Sequence, residues 1–527
     1  MSSIAAEAAR RRTFAIISHP DAGKTTITEK LLLYSGAIHL AGSVKARKAS
    51  RHAVSDWMKM EQERGISITS SVLQFGYAGA ALNLLDTPGH ADFSEDTYRT
   101  LAAVDSALML IDHAKGVEAR TLRLFEVCRM RKLPVVTFMN KLDREGRDPL
   151  DLLDDVSRQL KLEVSPLNWP IGRGRDFRGV VDVRSHQVSL FAGDTHGATI
   201  SRVTTIPLEA AEAQIGSRLY DETREQLELL TTAGTTYTQG RYLAGDVSPV
   251  FWGSALTNFG IEPVLEYLAA HAAPPAPRTD TDGNTISPTD ERFTGFVFKI
   301  QANMNPRHRD RIAFMRVVSG RFTRGMDAML GRTGEPLRLA KPHSFMAQER
   351  SIVEEAWPGD IVGLYDPGSL RIGDSLSEGA PIAFTGIPRF APEFFAQLSI
   401  RDAMKRKALD QGLLQLSHEG VIQLFFPPVG SRSEPYLGAV GQLQFEVLKE
   451  RLKYEYSVDV TYHTTPYRLA RWIGGSPEGL KWLKARRDYA VMEDRNGQPV
   501  LLADSPFSLT YALGNAPGLE LYDIEPL

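Results

Sequence analysis

Residues 13–26, TFAIISHPDAGKTT, form an apolar run that turns through a short polar loop into a helical pattern. Ser18, Gly23, Lys24 and Thr25 stand at the spacing of a P-loop. In such a loop backbone N–H groups and a helix N-terminus hold phosphates, the lysine reaches the β and γ phosphates, and the hydroxyl ligates Mg²⁺. Asp21, Ala22, Gly23, Lys24, Thr25 and Thr26 are therefore the expected phosphate contacts, with Thr25 also a metal ligand. One position departs from the pattern, because Ser18 replaces the first glycine. An ordinary strand-turn-helix would leave Lys24 on the surface, so the surroundings of that one side chain separate the two readings.

After a helical pattern at 27–34, residues 35–64 lose periodicity and collect Lys45, Arg47, Lys48, Arg51 and His52. A basic run of this kind is usually a solvated face. Its position, between the first helix and second strand of a P-loop unit, is also where a segment ordered by γ-phosphate and Mg²⁺ would lie. The loop ends in Arg64-Gly65-Ile66-Ser67-Ile68-Thr69 and enters an alternating strand through Val72 and Phe75. A second apolar strand, 81–85, leads into Asp86-Thr87-Pro88-Gly89-His90. Asp86 is placed to support Mg²⁺, and Gly89, lacking a side chain, can bring its N–H against a γ-phosphate. No glutamine follows, so His90 is the nearby polar side chain able to orient a water; a structural hydrogen bond at a helix start is its competing role.

Strands at 107–112 and 134–139 flank a helix near 121–131, and the second of them ends in Asn140-Lys141-Leu142-Asp143. This alternation implies a doubly wound parallel sheet with its ligand at the carboxyl ends of the strands. The Asp143 carboxylate can accept hydrogen bonds from guanine N1 and the 2-amino group, a donor pair adenine lacks. The expected ligand is GTP or GDP, with Asn140, Lys141 and Asp143 on the base. Ser254-Ala255-Leu256, between a strand at 249–253 and a helix at 261–270, is the expected base-capping loop. Residues of about 171–246 read as an inserted subdomain, with strand-like stretches at 177–183 and 188–191 and one amphipathic helix over 208–230.

Beyond it, a stretch with Pro274, Pro275 and Pro277 leads into a linker, 276–292, that reads as stiff and then flexible. Short glycine-separated strands over 293–387 indicate a small β-barrel. Its basic stretch PRHRDR, 306–311, is either a solvated hairpin tip or a contact for an RNA backbone. From 388 to 527 an α+β pattern follows, with strands at 395–400, 421–426 and 457–463 and helices at 403–416 and 440–454. Gly441 with Leu443, Phe445, Val447 and Leu448 reads as a core-facing helix stripe. Lys481, Lys484, Arg486 and Arg487 form a second basic cluster, either a solvated helix face or a contact for RNA or protein. The expected architecture is multidomain α/β: a GTP-binding domain at 1–275, then the linker, the barrel and the α+β domain. A chain of 527 residues exceeds what one core supports.

A net charge of −3 argues against a wholesale polyanion binder, so any RNA contact must be local. The single cysteine, Cys128, lies in a helical pattern and fits a reducing compartment and a structural role. Neither a signal-peptide core nor a run of membrane-spanning length is visible, and a cytoplasmic location without membrane contact is expected.

With these residues in hand, the chain resembles the translational GTPases of the elongation factor G-like group, whose switch and base motifs RGISI, DTPGH and NKLD are similar to. Within that group, ISHPDAGKTTITEKLLL, the serine of RGISIT, FVFKIQANMNPRHRDRIAFMRVVSG, TGIPRFAPEFF and GAVGQLQFEVLKERLKYEY resemble the family of bacterial peptide chain release factor three, as far as roughly Gly474. Ser18 and Ser67 depart from the wider group and match this branch. The resemblance implies that Lys24 and Thr25 meet phosphate and Mg²⁺, that Ser67 completes Mg²⁺ coordination in the GTP state, that Asp86 supports the metal, and that His90 positions the attacking water. It further implies a monomeric, ribosome-stimulated GTP hydrolase of translation termination, whose partners are the ribosome and the class 1 release factors it helps to dissociate. Two other readings are an elongation factor G-like translocase, for whose further domains this length has no room, and a non-catalytic GTP-binding ribosome assembly factor.

Overall fold

The computed structural model describes residues 3–38, 71–88, 91–191, 203–233, 236–302, 311–340, 342–346, 349–385, 387, 389–427, 435–486 and 489–525. Three bodies follow one another along the chain. The first opens with α1 (Ile4–Ala9) and β1 (Arg11–Ser18), in which Phe14, Ala15, Ile16 and Ile17 are fully buried. Burial on both faces is what a central strand of a covered parallel sheet requires. It continues with α2 (Lys24–Tyr34), β2 (Ser71–Tyr77), β3 (Ala80–Asp86), α3 (Ser94–Ala102), β4 (Ser106–Asp112), α4 (Ala119–Met130), β5 (Val135–Asn140), α5 (Pro149–Leu160) and β6 (Glu163–Pro166). After the insertion come β11 (Val247–Trp252) and α7 (Ile261–His271), and the insertion itself holds β7 (Asn168–Ile171), β8 (Gly179–Asp182), β9 (Gln187–Phe191), β10 (Val203–Pro207) and α6 (Ser217–Ala233).

The central sheet runs β2-β3-β1-β4-β5-β11-β6. Along these seven strands every pairing is parallel except β2 with β3, so the parallel sheet expected from the sequence carries one antiparallel strand. The cause is local. Ala78 and Gly79, at φ 46 and 81, make a two-residue turn between β2 and β3, and two positive-φ residues there fold the chain back as a hairpin. The sequence pattern assigned nothing to α5 and β6, yet α5 has a clear start: the Asp148 side chain accepts from the Leu150 N–H at 2.9 Å, with Pro149 in the first turn.

In the insertion, β7 to β10 pair antiparallel in sequence order. The single helix expected over 208–230 is instead a short turn, Leu208–Ala210, a four-residue helix, Glu212–Ile215, and α6, because Gly216 at φ 84 leaves the helical region. Trp169 anchors the insertion. Its indole donates to Gln226 at 2.7 Å and its ring meets Trp252 of β11 edge-on at 5.4 Å.

The polar stretch read as flexible is folded: Arg278–Thr279 pairs with Thr285–Ile286, and Asp280 accepts from the Asp282 and Asn284 N–H groups across the turn. In the barrel, the strand Arg311–Ser319 is buried at all nine positions. Its alternation divides the side chains between two cores. Ala313, Met315 and Val317 face the barrel interior with Val297 and Ile300, while Ile312, Phe314 and Val318 join Phe296, Phe298 and residues of the nucleotide domain such as Leu101 and Ala103. One apolar core thus runs across the domain boundary. Arg316 crosses it too, with Nη2 2.5 Å from Asp105 Oδ2 and Nη1 donating to the Ala103 carbonyl at 3.1 Å, both side chains nearly inaccessible. Truncating Asp105 to alanine leaves a buried guanidinium without its carboxylate, which costs about 3–5 kcal/mol. Urea unfolding of the variant is expected to show that loss in the first transition, and a change below about 1 kcal/mol would remove the pair from the account of domain docking.

The last body carries one eight-stranded sheet with antiparallel pairings. Its first half, with helices Arg406–His418 and Leu443–Tyr456, is the part legible in the sequence. The second half adds helices Pro477–Lys484 and Pro506–Asn515 and strands that the pattern did not resolve. In the basic cluster, Arg486 lies 3.6 Å over the Trp482 ring, and Arg487 lies outside the described residues.

Candidate nucleotide site

The cradle forms where β1 ends and α2 begins. Asp21 and Gly23 take φ of 65 and 98, and the N-cap of α2 is Gly23. Glycine is required there twice over, because a Cβ would also sit 2.3 Å from Asn140 Nδ2. Ala22 is fully buried, whereas Asp21 is exposed and Thr25 and Thr26 are half-buried at the first turn of α2, whose N–H groups there have no partner within the helix. Lys24 is buried rather than on the surface, and its Nζ is hydrogen-bonded to Asp86 Oδ1 at the end of β3. That removes the ordinary strand-turn-helix reading. Ser18 closes β1, 2% exposed, with no hydrogen-bond partner for Oγ among the described residues. Thr87 Oγ1 donates to the Ile16 carbonyl at 2.6 Å and fixes the chain after Asp86 against β1. Ser67, Gly89 and His90 lie outside the described residues, as do Lys45, Arg47, Lys48, Arg51 and His52.

On the other side of the cradle, β5 delivers Asn140, Lys141 and Asp143. Asn140 is the knot of the site: its Nδ2 donates to the Ala22 carbonyl at 2.7 Å, while its Oδ1 accepts from the Lys141 N–H at 2.8 Å and the Ala255 N–H at 2.9 Å. It joins the phosphate loop to the base-capping loop directly. Lys141, at φ 74, extends its Nζ to Asp112 Oδ2 at 2.8 Å. Burial alone would raise the Asp112 pKa, but the hydrogen bonds from Lys141 and the Ala114 N–H prevail and hold it below the usual carboxylate range. Ser254 Oγ donates to Asp143 Oδ1 at 2.5 Å, and Ser254 exchanges backbone hydrogen bonds with Phe259. Ala255 is buried and Leu256 follows in the same turn, so the loop is closed on itself and orients the Asp143 carboxylate.

Two residues beside the site carried no signal in the sequence. His19, inside the cradle, is 1% exposed with Nε2 3.3 Å from Glu118 Oε2, and burial lowers its pKa, keeping it neutral at pH 7. Asp92, two positions past the DTPGH stretch, accepts from the Leu443 N–H of the C-terminal body at 2.7 Å. Gly441, read as part of a core stripe, lies against it so closely that a Cβ would stand 2.1 Å from Asp92 Cγ. Arg311, counted with the basic hairpin tip, is buried and paired with Asp366 at 2.9 Å; residues 306–310 lie outside the described residues. Cys128 is fully buried, which pushes its thiol up to about 12 and suits a structural role.

For Mg²⁺ the local donors are hard oxygens, the Thr25 hydroxyl and the Asp86 carboxylate, and among the described residues no cluster of three His, Cys, Asp or Glu side chains offers another metal site. One carboxylate, one hydroxyl and phosphate oxygens are the set this ion takes in nucleotide sites.

A phosphate cradle and a guanine-type base loop on an α/β sheet, docked to a β-barrel through a continuous core, define a translational GTPase. Residues 9–274 match the elongation factor Tu GTP binding domain, residues 292–379 match elongation factor G domain 2, and residues 384–513 match the C-terminal domain of class II release factor RF3. Peptide chain release factor 3 of Symbiobacterium thermophilum is 54% identical over 525 residues, covering 98% of each chain. The chain belongs to the peptide chain release factor 3 family. A crystal structure of a Thermus thermophilus protein superposes with a TM-score of 0.69 at 25% identity, over 88% of this chain and 70% of that one. The family and its GTP-binding domain make this a guanine-nucleotide-binding GTPase, and the match of the C-terminal body disfavours the elongation factor G-like translocase reading. Among the described residues no helix is long and apolar enough to cross a membrane.

Proposed function

We propose that the protein is a ribosome-stimulated GTPase of translation termination, acting in the cytoplasm as a monomer, whose GTP-bound form promotes departure of a class 1 release factor after peptide release. The observation that carries the chemistry is the buried Lys24–Asp86 pair at the start of α2 and the end of β3, which brings a phosphate-binding cation and a metal-supporting carboxylate within one hydrogen bond. The termination role draws its support from the relative's name and from the C-terminal family match.

Backbone N–H groups of residues 21–26 hold the nucleotide's phosphates, and Lys24 turns from Asp86 toward the β and γ oxygens. Thr25 and Asp86, with Ser67, would hold Mg²⁺, which when bound would neutralise charge on the phosphates. Gly89 offers its N–H to the γ-phosphate. Asp143 reads N1 and the 2-amino group of guanine, with Asn140, Lys141 and the turn Ser254-Ala255-Leu256 shaping the base pocket. His90 orients the attacking water; with a loose transition state, placement and charge stabilisation are most of what the protein supplies. Loss of the γ-phosphate releases the switch segments, and with them the ribosome-binding arrangement.

Two measurements test this reading. Stopped-flow fluorescence of a labelled class 1 release factor on a terminated ribosome is expected to show faster departure with the protein and GTP than without; an unchanged residence time would overturn the termination role. The variant His90→Ala is expected to keep GTP affinity within about threefold while ribosome-stimulated turnover falls by about two orders of magnitude or more, the scale of a lost positioning group. Undiminished turnover would sink the role given to His90, and unchanged function in cells despite the loss of hydrolysis would favour the assembly-factor reading.

A further inference from the structure

Away from the nucleotide cradle, the three bodies meet around a cavity of about 660 Å³. Its wall carries Arg99 from α3, Arg332 and Arg371 from the barrel, and Arg389 and Arg495 from the C-terminal body. Four carboxylates share the wall, and each is engaged. Glu95 lies 2.5 Å from Arg99, and Asp374 takes both Arg332 nitrogens at 2.8 and 3.1 Å together with the Arg371 N–H. Arg389 spans Asp494 at 3.2 Å and Glu525 at 3.0 Å, and both of these also accept from the Asn496 turn.

Two guanidinium groups remain without a carboxylate among the described residues. Arg495 donates Nη1 to the Ser417 carbonyl at 2.7 Å, and the Arg371 side chain, though exposed, faces the same space. The crowding of like charge is visible at Arg495 itself and at His418. Burial, followed by repulsion from Arg389, Arg99 and Arg371, lowers the Arg495 pKa to about 10, and burial with Arg495, Arg311 and Arg371 lowers that of His418 to about 4. An excess of cations gathered at a junction of three domains is a cost that a bound anion would remove.

We propose that this cavity is a binding site for a small phosphorylated anion of the pyrophosphate class, held chiefly by Arg371 and Arg495 and separate from the cradle that takes the guanine nucleotide. The volume lies within the 300–1,000 Å³ usual for small-ligand sites. Planar guanidinium forks match phosphate oxygens two at a time, which an ammonium would not do. Because Arg371 comes from the barrel and Arg495 from the C-terminal body, the anion ties those two bodies together, and its occupancy opposes their separation.

Equilibrium dialysis of labelled inorganic pyrophosphate against the full chain, with GDP and Mg²⁺ saturating the cradle, tests the site. One equivalent is expected to bind besides the GDP, and to raise the melting temperature. Arg371→Gln, at an exposed position, is expected to keep the melting temperature of the unliganded chain and weaken pyrophosphate binding about tenfold, the loss of one charge-assisted pair. Arg495→Gln is expected to weaken it further, while Arg401→Gln, on the surface elsewhere, leaves it unchanged. ADP, which a guanine-reading pocket rejects, separates the sources: competition by ADP assigns the site to a nucleotide-borne diphosphate, and its failure to compete assigns it to the free anion. Absence of pyrophosphate binding once GDP is saturating, or full affinity in a folded Arg371→Gln protein, would overturn the proposal. Neither result touches the GTPase reading, which His90→Ala and GTP binding test separately.

Discussion

Replacing Asp143 by asparagine will move the base preference from guanine to xanthine, with GTP affinity falling by about 10²–10³. The carboxylate is fixed from one side by Ser254, whose hydroxyl donates to Oδ1 at 2.5 Å, so the remaining lone pairs are presented in one orientation rather than sampled. An asparagine there keeps one acceptor but turns an NH₂ toward the guanine 2-amino group, donor against donor. A lost hydrogen bond to a charged acceptor costs roughly 1.5–3 kcal/mol, and the unpaired donor on the base adds about 1–3 kcal/mol, which together reach the stated fold-change. Xanthine carries an oxygen at position 2, and the same NH₂ then finds an acceptor. Competition of GTP, XTP and ATP against a fluorescent GDP analogue reads the switch directly. GTP selectivity that survives the substitution would contradict the role of Asp143, and affinity lost equally for every nucleotide would mean that the Ser254 contact had collapsed the loop.

What could be read from the chain follows from where the physics is local. The strands of the nucleotide domain are short apolar runs because both faces of a covered sheet are buried, and β1, β4 and β5 announce themselves that way. The polar residues expected on the base also meet in space, with Ser254 on Asp143 and the Ala255 N–H on Asn140, because each stands at the end of a strand of that sheet. Features set by one backbone angle or by a distant partner left no such trace. The hairpin that turns β2 antiparallel depends on Ala78 at φ 46, and the break in the insertion's helix depends on Gly216 at φ 84. Arg311 read as part of a basic tip, solvated or on an RNA backbone, but its place is decided by Asp366, more than fifty positions away and beside it in space. The Asp92–Leu443 contact joins residues 351 apart, and no periodicity within either segment encodes it. Gly441 read as part of a core-facing helix stripe; the reason for its size is the Asp92 side chain and backbone pressed against it.

The same distinction makes Gly23 the most demanding single position of the cradle. Alanine there must either keep φ near 98, a backbone cost of about 1–2 kcal/mol for a residue with a Cβ, or leave the loop geometry altogether. Keeping it brings the Cβ to 2.3 Å from Asn140 Nδ2, so the amide must swing away. Asn140 cannot do so freely, because its two ends hold the Ala22 carbonyl and the Ala255 N–H. The substitution therefore reaches both halves of the ligand at once: the phosphate loop loses its tether and the base loop loses its clamp. Gly23→Ala is expected to lower GDP and GTP affinity by at least about 10², the sum of the backbone cost and two hydrogen bonds at about 1 kcal/mol each. Thermal stability of the unliganded chain is expected to fall much less, since the large buried core beneath the loop is untouched. The double variant Gly23→Ala with Asn140→Ala separates the two causes. If crowding dominates, removing the amide makes the second substitution cost less in the alanine background than alone, by more than about 1 kcal/mol of coupling. If the backbone angle dominates, the two losses add. Affinity of the single variant within about threefold of the parent chain would show that Lys24 and the helix N-terminus hold the nucleotide without the tight loop.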